Sequence, residues 1–335
     1  MTATKPNGPL GKLLLARETV DRATERRTDR AWLDATWADP ATRVLVVHRG
    51  RALVRLLGDR AELVFVSPAE APPGVRFLLG VERTDAGEVV YYGVSGPVEG
   101  APDEPPSARG TGPGWGVPDR YGPPQPLSLR EAGSLLGDRD AGLFTHAVAL
   151  ANWHDTHTHC PIDGTPTEVN PGGHSTSCPA DGTEHFPRTD PAVIMLVTDP
   201  QDRCLLARNI AWPRHRVSIL AGFVDPGESA EHAVAREVHE ETGITVKDVT
   251  YLDSQPWPMP RSLMLGFRAE AVGDEDIHVD AHEISEAHWY SRDDLRRALE
   301  AQQLALPPAV SIARRIIEAW YGAELPDGAP FNPGG

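Results

Sequence analysis

Gly222-Phe-Val-Asp-Pro-Gly-Glu228-Ser-Ala-Glu-His-Ala-Val-Ala-Arg236-Glu237-Val-His-Glu240-Glu241-Thr-Gly243-Ile244 is the stretch from which the rest of the chain is read. A turn at Asp225-Pro226-Gly227 feeds a helix of about fourteen residues, with Ser229 placed to cap it and Gly243 just past its end. At roughly 100° per residue, Ala230, Ala233 and Val234 form one stripe, and Glu237 and Glu241 continue it one turn further along. Glu240 lies at the edge of that stripe. Carboxylates on the core-facing side of a helix carry a desolvation cost and repel one another, so they call for a cation. Three of them at i, i+3 and i+4 suit one or two hard divalent ions bound through oxygen. The plainer reading is a solvated acidic face with Arg236 paired to Glu240.

Around this helix the pattern from residue 187 to 322 is that of a mixed α/β unit. Strands are expected at 192–197, 203–207, 216–220, 249–252, 263–269 and 287–290, with the glutamate helix between the third and fourth. Ser291 should cap a helix over 292–301, and a last helix should run over 309–321. The Gly/Pro-rich tail, 323–335, is expected to be disordered. After the helix comes Ser254-Gln-Pro-Trp257-Pro-Met-Pro-Arg-Ser262, where three prolines around one tryptophan should hold the indole in an extended, rigid segment. Such a pre-fixed plate suits stacking on a nicotinamide or adenine ring. A tryptophan that only braces its loop is the structural alternative.

Upstream lies a unit over 127–186: a short helix at 127–136, a longer one at about 140–156, then two turns, Cys160-Pro-Ile-Asp163-Gly and Cys178-Pro-Ala-Asp181-Gly. The turns resemble a zinc ribbon in which the second cysteine of each pair is replaced by aspartate. Two thiolates and two carboxylates bind zinc less tightly than four thiolates, and His157, His159, His174 or His185 are open as alternative ligands. Residues 1–126 form an N-terminal β-rich domain, with strands expected at 43–47, 52–56, 62–66, 76–81 and 89–94 and a structural or dimer-supporting role. Half of the thirty residues from 97 to 126 are Pro or Gly, which makes this stretch a linker.

A chain of 335 residues is long enough for two or three domains with a sizeable core. No stretch reaches the roughly eighteen apolar residues of a spanning helix, and the N-terminus carries no apolar signal core, so a cytoplasmic location and no membrane partner are expected. Three cysteines cannot close a disulfide framework, in keeping with that expectation. The net charge of −16 argues against general nucleic-acid binding, though it leaves room for a local basic site.

Gly222, Glu228, Arg236, Glu237, Val238, Glu240, Glu241, Gly243 and Ile244 resemble the Nudix signature at every defined place. The Trp257 segment, the stretch from Phe186 to Ile194 and the order of β domain, ribbon and Nudix domain resemble the NAD(H) diphosphatase branch, the NudC type. That resemblance implies an α+β protein: an N-terminal β-rich domain, a ribbon insert and a C-terminal Nudix α/β/α sandwich. It implies a hydrolase that cuts NAD(H) into nicotinamide mononucleotide and AMP, with removal of NAD caps from RNA 5′ ends as a related activity. Mg²⁺ or Mn²⁺ would be held by Glu237, Glu240, Glu241 and Glu283 and would neutralise the phosphates, with Glu241 or Glu283 taking a proton from the attacking water. Phe223 and Trp257 would sandwich the nicotinamide, and Gln255, Ser262, Met264, Ile194 and the backbone at Ala313 would make further contacts. Phe186 stands where the branch often has Tyr, so a hydroxyl contact is missing. The resemblance also implies a homodimer in which the tryptophan serves the neighbouring subunit's site. The alternatives are hydrolysis of another nucleoside diphosphate, such as ADP-ribose or an ADP-sugar, and a non-catalytic dinucleotide sensor.

Overall fold

The computed structural model describes residues 8–17, 19–102, 122–273 and 276–326. The middle of the expected linker (103–121) and most of the expected tail (327–335) lie outside the described residues.

The N-terminal region opens with α1 (Arg30–Ala38), whose first turn is closed by Asp29 accepting from the Trp32 N–H. Strands β1 (Arg43–Val47), β2 (Arg51–Leu57), β3 (Arg60–Leu63), β4 (Val75–Thr84) and β5 (Gly87–Ser95) follow the branched and aromatic runs within a few residues. They pair as β1-β5-β4 and, with β6 (Gln125–Ser128), as β3-β2-β6. The helix expected at 127–136 is cut short for a local reason. Residues 125–128 pair with β2, and Ser128 then opens a single-turn helix α2 (Leu129–Ala132) through a capping box with Glu131. Helix α3 (Asp138–Thr156) packs Phe144, Ala147, Val148 and Ala151 into one core with Leu45, Val54 and Phe77 from the strands. Each of these larger apolar side chains contributes about 1.5–3 kcal/mol on full burial.

The ribbon is a small sheet of β7 (Glu168–Val169), β8 (Thr176–Ser177) and β9 (Glu184–His185). It lies against the N-terminal strands, where His174 Nε2 donates to the Leu78 carbonyl at 2.7 Å and His154 Nε2 to that of Gly173 at 2.9 Å.

Beyond it stands a six-stranded mixed sheet, ordered β13 (Val246–Trp257), β14 (Ser262–Ala271), β10 (Asp190–Thr198), β11 (Cys204–Asn209) and β15 (Ile284–Tyr290), with β12 (Leu220–Phe223) also on β10. β10 reads as an unbroken apolar run because both of its faces are covered. Helix α4 (Ala230–Thr242) covers one face, and α5 (Arg292–Glu300) with α6 (Ile312–Tyr321) covers the other. The chain is thus α+β, with a helix–sheet–helix sandwich at its C-terminal end. The strand expected at 216–220 falls instead at 220–223, since Arg216 and Ser218 make only isolated bridges to Ala305 and Ala207. The last helix starts at Ile312 rather than 309 because Ser311 caps it. Two apolar side chains of the N-terminal segment, Leu10 and Leu13, join the α6 side of this sandwich.

Candidate active site and metal centres

Helix α4 is built as its sequence dictates: Ser229 Oγ accepts from the His232 N–H, and Gly243 ends the helix at φ +72°. Ala233, Val234 and Val238 face the sheet, and Glu241 shares their burial at 7% exposure. Glu240 is exposed and Glu237 half-buried. The loop before the helix is tied to it by one guanidinium. Arg236 donates to both Glu228 oxygens, to Glu237 and to Glu240, all at 2.9 Å, and to the Phe223 carbonyl at 2.9 Å. That fork holds the Glu228 carboxyl down at about 2, aided by the Asp225 N–H.

Gly222 explains itself in space. A Cβ there would lie 1.9 Å from the Glu237 carboxyl carbon, so any other residue would push that carboxylate out of its present place.

Glu241 has no such neutralising partner. Burial pushes its carboxyl up to about 8, and the charges of Glu237, Glu283, Asp280 and Glu240 push the same way. Its Oε2 is buried without a hydrogen-bond partner among the described residues. Glu237 is raised as well, by burial first and then by Glu240 and Glu283 against the pull of Arg236. Glu283 reaches the cluster from the loop before β15, where its N–H donates to the Asp280 carbonyl and the Asp280 N–H donates to that of Glu241. Asp280 was not among the residues singled out from sequence, although it stands three places from Glu283 in the same loop.

The registers place the remaining expected residues. Phe223 pairs with Ala192, Ala192 with Met264, and Met264 with Gln255, so these side chains share the sheet face turned toward α6, opposite to α4. Phe223 is 59% exposed. Ile194 and Ala313 are buried in the α6-side core, and the Ala313 N–H donates to Ser311 Oγ. Gln255, an expected substrate contact, is wholly buried. Its Oε1 accepts from the Leu15 N–H and its Nε2 donates to the Val310 carbonyl, so its amide ties the N-terminal segment to the approach of α6.

Trp257 ends β13 opposite Ser262 and packs against the N-terminal core, with the Arg130 guanidinium 5.1 Å from its ring centre. The prolines after it have no N–H, and Asn152 Nδ2 meets the carbonyls of Pro258 and Pro260 at 2.9 and 3.1 Å. The strand of Trp257 lies three strand spacings, about 14 Å, from that of Phe223. Phe186 is 65% exposed and lines a groove with Ser262.

In the ribbon the two turns are copies of one another. The Cys160 N–H donates to the Thr165 carbonyl and the Cys178 N–H to that of Thr183, both at 2.8 Å. Asp163 and Asp181 each accept from the N–H two residues on, which holds both carboxyls below their ordinary range. Among the described residues, one group of His, Cys, Asp and Glu has its ligand atoms gathered within 4.8 Å, and it is Cys160, Asp163, Cys178 and Asp181. None of the four alternative histidines belongs to it. The glutamates of α4 are less closely drawn together, since Arg236 holds Glu237 and Glu240 on its own side.

Residues 188–311 match the NUDIX domain family and residues 155–186 the NADH pyrophosphatase zinc ribbon domain, which defines a Nudix hydrolase carrying a ribbon. The chain is 42% identical over 323 residues to the NAD-capped RNA hydrolase NudC of Mycobacterium tuberculosis, covering 93% of this chain and 95% of that one. It is 40% identical over 210 residues to the NAD-capped RNA hydrolase NUDT12 of Macaca fascicularis, covering 59% of this chain and 44% of that protein. A NUDIX hydrolase of known structure from Nitrosomonas europaea aligns with 50% of this chain and 94% of its own, at 18% identity and a TM-score of 0.39. The chain belongs to the NudC family of Nudix hydrolases.

Proposed function

We propose that the chain hydrolyses the diphosphate bond of NAD(H) to nicotinamide mononucleotide and AMP, and removes the same nucleotide from NAD-capped RNA to leave a 5′-monophosphate end. The observation that carries this reading is that similarity to NAD-capped RNA hydrolases runs along 93% of the chain, through the N-terminal region, the ribbon and the Trp257 segment as well as the glutamate helix.

The residues present fit hard divalent ions. Glu237, Glu240, Glu241 and Glu283 offer only oxygen, and the buried, unpartnered Oε2 of Glu241 is the atom with most to gain from a cation. Mg²⁺ or Mn²⁺ bound there would neutralise the phosphates and acidify water. The chain's own residues do the rest. Arg236 keeps the loop, Glu228 and the helix in register. Glu241 or Glu283 receives the proton of the attacking water. Phe223, Met264 and Ser262 orient the substrate, with Trp257 stacked on the nicotinamide.

The separation of Phe223 and Trp257 supports a homodimer in which each tryptophan serves its neighbour's site. Cys160, Cys178, Asp163 and Asp181 are the proposed zinc ligands, since thiolate and carboxylate both suit that ion. We divide the chain into an N-terminal region to 126, a helical and ribbon segment over 127–186 and a catalytic domain over 187–322. Among the described residues no helix is long and apolar enough to cross a membrane. All three cysteines are free, which supports a reducing, cytoplasmic setting. The test is turnover of NADH, NAD⁺, ADP-ribose and capped RNA with Mg²⁺ and with Mn²⁺. Preference for ADP-ribose over NADH would overturn the proposal.

A further inference from the structure

The segment that carries Trp257 has little of its own to hold it. Between Pro256 and Pro260, with Pro258 in the middle, only Trp257 and Met259 have an amide to donate, and the Met259 N–H goes to the Trp257 carbonyl at 2.7 Å, within the loop. The ladder to β14 ends with Trp257 opposite Ser262, so the indole stands at the last paired residue and its plane has to be set by side chains from elsewhere. Asn152 of α3 meets the Pro258 and Pro260 carbonyls, which places the backbone. The ring itself is met by Arg130.

Arg130 makes two contacts to this loop. Its guanidinium lies over the indole, 5.1 Å from the ring centre, and its Nε donates to the Met259 sulfur at 3.2 Å. A planar guanidinium can stack with one face and donate from its edge at the same time, which an ammonium cannot do. The pair of contacts therefore fixes the tilt of the indole relative to the loop as well as its distance. Arg130 is also rigid at its root, because it lies in the single-turn helix α2, closed by the capping box of Ser128 and Glu131 and flanked by the buried Leu129 and Ala132. Burial, and then the charge of Arg216, push its pKa down to about 10, so it gives up water yet stays a cation at neutral pH.

We propose that Arg130 is a positioning residue for the nicotinamide end of the substrate: by covering one face of Trp257 it presents the other in a fixed plane, so that the nicotinamide stacks without first ordering the indole. The proposal rests on the reading of Trp257 as the nicotinamide plate and adds what holds the plate. In the proposed homodimer Arg130 thereby acts on the neighbour's site.

The test measures kcat and KM for NADH and for ADP-ribose on the full chain with Arg130→Met, Arg130→Lys, Trp257→Ala and the double variant Arg130→Met/Trp257→Ala. Arg130→Met should raise KM for NADH about three- to tenfold, the cost of ordering one free side chain on binding, with kcat and both constants for ADP-ribose within about twofold of the parent. Arg130→Lys keeps the charge and loses the flat fork, so it should behave as Arg130→Met does, and it carries the same comparison if Arg130→Met fails to fold. On the Trp257→Ala background Arg130→Met should change nothing further, since the ring it holds is gone. Equal losses on both substrates, or losses that add in the double variant, would confine Arg130 to bracing the fold and overturn the proposal. A KM for NADH unchanged in both Arg130 variants, while Trp257→Ala still loses NADH selectively, would overturn this proposal alone. Equal losses on both substrates in Trp257→Ala would remove the plate and the proposal with it. Absence of NADH turnover in the parent would remove the proposed function itself.

Discussion

Glu241→Gln should stabilise the metal-free protein at the pH where it abolishes turnover. Glu241 is 7% exposed, and its carboxyl is pushed from 4.5 to about 8, first by burial and then by the surrounding carboxylates. The native chain therefore holds this proton more tightly than the unfolded chain does. The stability this confers is fully present below about pH 4.5 and is lost as the pH rises through about 8. By pH 8 the loss amounts to about 4 kcal/mol at about 1.36 kcal/mol per unit, an upper bound because the neighbouring carboxylates titrate together.

Glutamine keeps the side-chain volume and carries no charge to desolvate. In EDTA at pH 8 the variant should melt above the parent by up to about 8 °C, taking about 2 °C per kcal/mol for a chain of this size, and near pH 5 the two should draw together. Added Mg²⁺ should raise the melting temperature of the parent more than that of the variant, because the ion binds the native carboxylates. NADH turnover in the variant should fall on the order of 10²-fold or more. Equal melting temperatures at pH 8 would refute the argument from a buried, charge-crowded carboxylate. Turnover within about threefold of the parent would take Glu241 off the catalytic residues.

Trp257→Ala should remove a stacking contact worth about 1–3 kcal/mol, roughly 5- to 150-fold in kcat/KM for NADH, and should matter little for ADP-ribose; equal losses on both would leave Trp257 as a brace against Arg130. Protein purified without added metal should contain close to one zinc per chain by elemental analysis, and Cys160→Ser should lose that zinc; substoichiometric zinc in well-folded protein would assign the ribbon a metal-free role. Asn152→Ala should free the Pro258 and Pro260 carbonyls, two hydrogen bonds of about 0.5–1.5 kcal/mol each, and raise KM for NADH several-fold with little change in kcat; a lower melting temperature with unchanged KM would confine Asn152 to stability.

The glutamate helix could be read from sequence because all that shapes it is local: a cap at Ser229, a 3.6-residue stripe and a glycine stop at Gly243 lie within fifteen residues. The β-rich N-terminal third was readable for the same reason, its strands being bounded by their own turns. What escaped was long-range. Nothing in the run Leu13-Leu-Leu15 says that it will reach across to residue 255, yet that contact closes Gln255 inside the chain. Arg130 gives no sign that it will lie on Trp257, more than a hundred residues away. β12 slipped from 216–220 to 220–223 because its pairing with β10 outweighs the apolar run before it.

Gly222 lies between the two cases, and it shows why the signature has its spacing. As a letter it marks only the start of a pattern. In space it is the point where a strand end passes within contact of Glu237, and a Cβ there would displace the carboxylate. Arg236, eight residues after Glu228, spans from that carboxylate to Glu237, Glu240 and the Phe223 carbonyl, pinning the strand end to the second turn of the helix. One cation thus satisfies the outer carboxylates of the helix and leaves Glu241, one turn further on and deeper, with an oxygen that no group among the described residues meets. The metal requirement follows from that division: an arginine long enough to reach Glu241 as well would make a more stable protein and leave no charge to hold an ion against a diphosphate.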